Sequence, residues 1–305
     1  MELRDLRTFL ACARLQHFTR AAEELAYAQS TVTAQIRSLE KELDVPLFDR
    51  VGRGVVLTPA GDRLATYARR IVDLVEEASA TVAFVGAQPH GDLTISATET
   101  LSTFQLPDVL REFQRRFPDV RLFLRPHDPA DLVSRVVEGD SAAAITLDRP
   151  IAHPDLATET LREEAVWLLA PPDHPLAGRR RVRAADLAPF RLLLSELDVS
   201  YGGAFIERLA ADGVVPIDPM EFSSVAAIKQ CVRVGMGLTA LPAFASAEEV
   251  DAGQLVVLPF ECPSVRVQLL WHRHRWMPPA AEALLELTRE LLGQGDPRSA
   301  AAPLR

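Results

Sequence analysis

The sequence predicts a chain of mixed class: a small all-α segment with a short hairpin, one long helix after it, and an α/β portion filling the rest. Three observations carry this. Apolar residues recur at helical spacing from Leu3 to Leu43. A single apolar stripe of helical period then runs from Pro59 to about Val85. From Asp92 onward apolar strand-like runs alternate with amphipathic helical segments, the pattern of strands joined by crossover helices in a parallel sheet.

With 305 residues, 48% hydrophobic and 25% charged, the chain can build more than one core. A net charge of -9 opposes nucleic-acid binding for a uniform body. The charge is uneven, however: between Met1 and Ala65 nine basic residues balance nine acidic ones, so the remainder carries the whole deficit. Cys12, Cys231 and Cys262 are few, odd in number and far apart, as in a reducing compartment and not a disulfide framework. The opening MELRDLRTFLACARLQ has no apolar run followed by a cleavage site, and no stretch approaches about 18 apolar residues. A cytoplasmic protein with no membrane partner is the expectation.

Leu3, Leu6, Phe9, Leu10 and Ala13 form the buried stripe of a first helix ending near Gln16. Thr19 offers an N-cap hydroxyl to a short second helix whose Ala21 and Ala22 permit close packing. A third helix runs from about Gln29 to Leu43, with Val32, Ile36, Leu39 and Leu43 inward and Gln29, Ser30, Thr31, Thr33, Gln35 and Arg37 outward. Two short helices joined by a tight turn, the second with exposed amide, hydroxyl and guanidinium groups, have the layout of a helix-turn-helix. A structural three-helix bundle with a solvated polar face fits the same spacing equally well. The next stretch, LFDRVGRGVVLTPAG from Leu47 to Gly61, reads as a hairpin with a basic tip, which makes it the wing of a winged helix-turn-helix. Arg50 and Arg53 there are placed to reach phosphate or an A·T-rich minor groove.

The string AAEELAYAQSTVTAQIRSLEKELDVPLFDRVGRGVVLTPAG, Ala21 to Gly61, resembles the LysR-type transcriptional regulators. The Ala-Ala pair, Gln29-Ser30, Thr33, Ile36, Leu39-Glu40, Leu47-Phe48, Arg50, Arg53 and Leu57-Thr58 fall in register with that family. The resemblance implies contacts to double-stranded promoter DNA from Gln29, Ser30, Thr31, Thr33 and Arg37, with Arg50 and Arg53 on the wing. Thr31 stands where small apolar residues or Pro are frequent in the family, which leaves base preference there open.

Thr58 is a good N-cap with Pro59 at the first helical position. Leu64, Ala68, Ile71, Val75, Ala78, Val82 and Val85 then share one side of a helix that reaches roughly 42 Å at 1.5 Å per residue. A helix that long has apolar surface to spare. It pairs with a copy of itself, or lies on its own C-terminal domain; the resemblance favours a homodimer through this linker helix and further pairing into a homotetramer. Gly86 to Gly91 read as a hinge, so the chain is expected to divide into 1–58, 59–90 and 91–292, with a disordered tail at 293–305.

Strands are expected at Leu93 to Ala97, Val120 to Arg125, Ala142 to Leu147, around Val166, at Arg191 to Ser195, at Gly237 to Pro242 and at Val265 to Arg273. Helices are expected near Asp108, Ala130, Gly203, Val225 and Pro278. Two α/β sets with a late strand and helix suggest two lobes, about 91–161 plus 265–292 and 162–264. WLLAPPDHPLAG and SSVAAIKQCVRVGMGLTALP resemble the effector-binding domain of the same family, which implies the two-lobed fold of periplasmic solute-binding proteins. Ligands in open α/β sheets sit beyond the carboxyl ends of strands. That places Thr98, Thr100 and Ser102 after the first strand, His127 after the second, and Ser200, Tyr201 and Ser224 at helix starts of the second lobe. Glu99 is included as a carboxylate beside the cleft. Small organic acids are the family's commonest inducers, whereas an amine or a neutral aromatic compound suits Glu99 better; both stay open.

No cofactor, metal or catalytic group is expected. His272 and His274 share a strand face without a third ligand. Cys231 lies on a helix with no adjacent thiol, and Gly235 with Gly237 lacks a full nucleotide-loop frame. The rival is a two-lobed small-molecule-binding protein or enzyme with a helical domain that does not bind DNA. No nucleophile elbow or P-loop supports catalysis.

Overall fold

Leu6, Phe9 and Cys12 lie on one face of α1 (Leu3–Leu15) and are almost fully buried. They pack on Ala21 and Ala22 of α2 (Phe18–Glu24) and on Val32, Ile36 and Leu39 of α3 (Gln29–Leu43) to form a small core of their own. The helix starts at Phe18, so Thr19 is inside it and not its cap. The N-cap is His17, whose Nδ1 accepts the Thr19 N–H at 3.2 Å. Two expectations for α3 are corrected. Gln35 faces inward, where its Oε1 accepts the Thr8 hydroxyl at 2.9 Å, and Leu43 is 40% exposed because the last turn runs past the core.

The strands β1 (Phe48–Val51) and β2 (Gly54–Leu57) pair antiparallel with Phe48 opposite Leu57 and Val51 opposite Gly54, as a wing requires. Thr58 then caps α4 (Pro59–Val82): its Oγ1 accepts the Gly61 N–H at 3.0 Å and donates to the Pro46 carbonyl at 2.8 Å. Gly61 has no room for a side chain, since a Cβ there would stand 2.2 Å from the Leu47 carbonyl oxygen. Ala65 and Ala68 join the helical core, whereas farther along α4 Ile71 and Val75 are exposed, as are Tyr67 and Leu74 at 61% and 64%.

The structure, a computed structural model, describes residues 1–51, 54–82, 88–195 and 200–293. Arg53, the residues read as a hinge from Gly86 to Ala87, and the tail after Gly293 lie outside them. Two units result: Met1–Gln88 with Glu138–Asp140, and Pro89–Val137 with Ser141–Arg305.

The second unit begins with β3 (Gly91–Ala97), α5 (Glu99–Phe104), α6 (Leu106–Arg116), β4 (Val120–Pro126), α7 (Pro129–Glu138), β5 (Ala143–Asp148) and β6 (Leu156–Glu164). It continues with β7 (Val166–Ala170), α8 (Ala184–Leu187), β8 (Leu193–Leu194), α9 (Ser200–Ala211), β9 (Met220–Glu221), α10 (Val225–Arg233) and β10 (Thr239–Pro242). The chain closes with α11 (Ala243–Asp251), β11 (Val256–Leu258), β12 (Val265–His272) and α12 (Pro279–Leu292).

Strands β4-β3-β5-β12-β6 form the sheet of one lobe, while β10-β7-β11 and the pair β8-β9 belong to the other. The late strand does return: β12 inserts between β5 and β6, and Val267, Leu269 and Leu270 are buried there, as a central strand demands. The purely parallel sheet read from the alternation is corrected. β3 runs parallel to β4 and β5, but β12 is antiparallel to both neighbours, and β7 is antiparallel to β10 and β11. Strand β6 crosses position 161, where the sequence divided the lobes, and carries the first sheet on to Glu164.

At that strand's end Arg162 and Glu164 form a buried ion pair at 3.2 Å. The same guanidinium donates to the Leu292 carbonyl at 2.6 Å and to Gln105 Oε1 at 3.0 Å. One side chain thus ties β6 to the end of α12 and the start of α6.

Candidate functional site

In the helical unit α3 and the β1–β2 hairpin border a groove of about 480 Å³ lined by His17, Thr19, Gln29, Ser30, Thr33, Arg37 and Arg50, among others. Five residues expected to contact DNA therefore share one concave surface: Gln29, Ser30, Thr33, Arg37 and Arg50. Thr31 is exposed but does not line it, and Arg53 is outside the described residues. None of the lining residues is acidic, and neither Arg37 nor Arg50 has an ion-pair partner among the described residues.

Local bonds fix the groove's polar groups. Gln29 Nε2 donates to Thr33 Oγ1 at 3.0 Å, and the Thr33 hydroxyl donates to the Gln29 carbonyl at 3.0 Å. The Gln29 side chain is thus held along the helix by Thr33. Ala28 supplies no side-chain cap, and its carbonyl takes the Thr31 N–H at 2.9 Å, which leaves the N–H groups of Gln29 and Ser30 to an anion at the groove's edge. The sequence reading missed His17 and Thr19. Their signal was present: a ring nitrogen at an N-cap and a hydroxyl in the first turn of the helix preceding α3.

In the α/β unit the expected effector residues Thr98, Thr100, Ser200 and Tyr201 come together where β3 ends and where α9 begins, whereas His127 follows β4 and Ser224 precedes α10. The Tyr201 hydroxyl accepts from Ser195 Oγ at 2.7 Å and lies 3.1 Å from Thr100 Oγ1, which makes a buried chain of hydroxyls. Thr98 Oγ1 is buried with no hydrogen-bond partner among the described residues. Ser200 is buried, donates through Oγ to the Leu147 carbonyl at 2.7 Å, and holds a left-handed φ of 57°. Ser102 serves its own helix, donating to the Thr98 carbonyl at 2.9 Å, and Ser224 caps α10 by accepting the Ala227 N–H at 3.5 Å. His127 is anchored by its N–H to the Ala97 carbonyl at 3.0 Å, beside the end of β3. Burial lowers its pKa, with Arg135 acting in the same direction, which favours the neutral ring.

Glu99 turns to the protein. Its carboxylate accepts from the Thr103 hydroxyl at 3.3 Å and has the Val225 N–H at the start of α10 nearby. Burial raises its pKa above the usual carboxylate value, against the opposing pull of both donors and of Lys229. Asp148, unmarked in the sequence, behaves alike: burial raises its pKa, opposed by the N–H groups of Arg149 and Ser200 and by the Arg149 charge.

The family model described as "Bacterial regulatory helix-turn-helix protein, lysR family" matches residues 3–62, and that described as "LysR substrate binding domain" matches residues 86–293. The chain belongs to the LysR family of transcriptional regulators. It is 37% identical over 293 residues to the uncharacterized HTH-type transcriptional regulator YwqM of Bacillus subtilis, covering 95% of this chain and 99% of that one. The RuBisCO operon transcriptional regulator of Allochromatium vinosum is 32% identical, covering 94% and 95%. Among solved structures a full-length OxyR variant of Pseudomonas aeruginosa superposes with a TM-score of 0.76 at 26% identity, covering 96% of each chain.

This LysR-type regulator therefore binds DNA, carries an effector-binding domain and is not an enzyme. Features that had other readings become structural. Gly235 takes a φ of 81°, and a Cβ on Gly237 would stand 2.3 Å from the Arg191 carbonyl oxygen, so the pair makes the turn into β10. The His274 N–H donates to His272 Nδ1 at 3.2 Å. Burial raises the thiols of Cys12 and Cys262 to about 12, which suppresses their reactivity. No helix is long and apolar enough to cross a membrane among the described residues.

Proposed function

We propose that the groove between α3 and the wing is the promoter-reading surface, with Gln29, Ser30, Thr33 and Arg37 facing base edges, Arg50 the phosphates and Thr31 at its margin, and that Arg53, outside the described residues, adds a second phosphate contact. The observation that carries this is the shared concave lining free of acid groups. Gln29 is positioned by Thr33 before any DNA arrives, so its amide loses little freedom on binding. The experiment is fluorescence anisotropy with DNA from upstream of the regulator's own gene, over a range of salt. Arg50→Ala should weaken binding on all sequences alike and lower the salt slope by about 1, whereas Gln29→Ala should cost about 1–3 kcal/mol on the cognate site alone. Both variants binding like the parent would remove the groove from the reading.

The effector is placed between the lobes, at Thr98, Thr100, Ser200 and Tyr201, with His127, Ser102 and Ser224 nearby. The unpartnered Thr98 Oγ1 and the hydroxyl chain through Tyr201 support it, because a buried hydroxyl without a partner costs free energy that a ligand can return. With Glu99 engaged inside the chain, a small organic acid suits the remaining hydroxyls. Effector and promoter are then linked by differential affinity for two states of the chain.

Two copies join through α4, and two such dimers make a tetramer. The exposed Tyr67, Ile71, Leu74 and Val75 on one helix are the apolar surface that pairing removes from water. The working place is the cytoplasm, where the promoter is. Leu74→Glu with Tyr67→Glu should shift the mass in solution toward the single chain, as read by light scattering.

A further inference from the structure

The turn from α1 into α2 is tied to both strands of the wing. The carbonyl of Gln16, a residue with a left-handed φ of 51°, accepts the Val55 N–H of β2 at 2.9 Å. On the other side of His17, the Phe18 ring meets Phe48 of β1 edge-on, with 5.4 Å between ring centroids. Val55 is also the residue opposite Arg50 across the hairpin. His17 is thus held through both chain neighbours against the hairpin that carries Arg50, and it lines the groove with Arg50, Gly54 and Val55.

The hydrogen bond that His17 makes defines the state of its ring. Nδ1 accepts the Thr19 N–H at 3.2 Å, and a ring nitrogen that accepts carries no proton. In this arrangement the ring is neutral with its proton on Nε2, and that N–H has no acceptor among the described residues. A directed donor without a partner therefore opens on a groove whose lining holds no acid group.

We propose that His17 is a DNA contact of this regulator, its Nε2–H donating to a backbone phosphate oxygen where one strand passes between α2 and the wing. The inference rests on the groove being the promoter-reading surface and adds to it a residue outside both α3 and the hairpin. In a helix-turn-helix the helix before the recognition helix crosses the DNA backbone, which sets a phosphate and not a base edge opposite α2. The contact belongs to the ring alone, since the Thr19 N–H is already donated to Nδ1. That same bond orients the ring before DNA arrives, so little freedom is lost on binding. The contact is also uncharged, which sets it apart from Arg50. A guanidinium at a phosphate releases a counterion, so its removal lowers the salt slope. A neutral N–H at a phosphate strengthens binding at every salt concentration and leaves the slope as it is.

The test is fluorescence anisotropy of the full-length regulator on DNA from upstream of its own gene and on unrelated duplex DNA, over a range of salt in mildly alkaline buffer. Arg50→Ala and Gln29→Ala are measured alongside. His17→Asn keeps an accepting oxygen near the place of Nδ1, and with it a good N-cap for α2, but has nothing at the place of Nε2. It should unfold in urea like the parent and bind both DNAs about tenfold more weakly, with the salt slope unchanged. His17→Gln carries its amide nitrogen out to the Nε2 position and should restore most of that affinity, although its cap on α2 is poorer. Parental affinity in His17→Asn overturns the proposal, and so does His17→Gln binding no better than His17→Asn. A loss confined to the cognate DNA overturns it as well, by making the ring a base contact, as does a slope lowered by about 1, by making it a charged one. Arg50→Ala and Gln29→Ala at parental affinity would remove the groove and His17 with it, whereas a fall in both with His17→Asn unchanged would leave the groove and remove His17 alone.

Discussion

Thr100 on α5 and Tyr201 on α9 face each other across the two lobes with 3.1 Å between their hydroxyl oxygens, and Ser195 donates to the same Tyr201 oxygen at 2.7 Å. A single phenolic group therefore satisfies two buried hydroxyls. Tyr201→Phe keeps the ring's volume and leaves both without that partner, which should cost about 1–3 kcal/mol in urea unfolding of the effector domain. The effector affinity should fall with it. A variant as stable as the parent would mean that both hydroxyls find other partners when the phenol is gone.

Gln35 and Thr8 give a contrast inside the DNA-binding unit. Their hydrogen bond of 2.9 Å is buried, whereas Gln29, six residues earlier on the same helix, lines the groove. Gln35→Ala strands the Thr8 hydroxyl and should lower the unit's stability by about 1–3 kcal/mol, with sequence preference unaltered once the folded fraction is accounted for. Gln29→Ala should do the reverse. Chemical denaturation and DNA titration on the two variants, run side by side, separate structural from reading glutamine.

Much of this was legible in the sequence, and the parts that were not have physical reasons. Periodicity finds α1 and α3 because each has a buried stripe against a solvated face, and it finds α4 by an apolar stripe of the same period that is buried only at Ala65 and Ala68; Thr58 and Gly61 mark the start of α4 by capping and by close approach to Leu47. It fails for Gln35, since an amide buried by one partner looks the same in a sequence as an exposed one. It passes over α5, which has six residues, and β6, whose sequence LATETLREE is largely polar at a sheet edge. The order of β12 between β5 and β6 leaves no local trace at all, because pairing partners are set by the whole sheet. At the proposed effector site the hydroxyls were readable as helix starts after strands. Asp148 was not, because its burial arises only in the fold.

The Arg162–Glu164 pair predicts a large effect from one substitution. Glu164 is fully buried and Arg162 nearly so, with the same guanidinium reaching Leu292 and Gln105. Arg162→Met removes the charge that compensates the carboxylate and should destabilise the effector domain by about 3–5 kcal/mol. Replacing both as Arg162→Met and Glu164→Gln should recover a good part of the loss. Thermal unfolding of Arg162→Met, Glu164→Gln and the double variant gives the coupling directly, and additivity would show that the two charges act independently.

Acid titration should reveal the buried carboxylates of Glu99 and Asp148 through its sign. Burial raises the pKa of both Glu99 and Asp148 in the folded chain, the donors around them only partly offsetting it. The folded state therefore holds protons that the unfolded state has released, in the window between the ordinary carboxylate pKa and the raised one. In that window the unfolded state binds fewer protons, so these two groups make stability fall as pH rises, and their contribution is fullest below the ordinary value. Glu99→Gln with Asp148→Asn removes both titrations while keeping an accepting oxygen for the Thr103 hydroxyl and the Arg149 N–H. The double variant should gain stability relative to the parent as pH is raised from about 4 toward 7, and the difference should level off once both carboxylates are ionised. Other acids, such as Glu112, with its pKa held down to about 2 by hydrogen bonds from Arg115 and Arg116, titrate in parent and variant alike and cancel in the difference. A difference that shrinks with rising pH would mean that the donors and positive charges around the two carboxylates outweigh desolvation and favour the charged form.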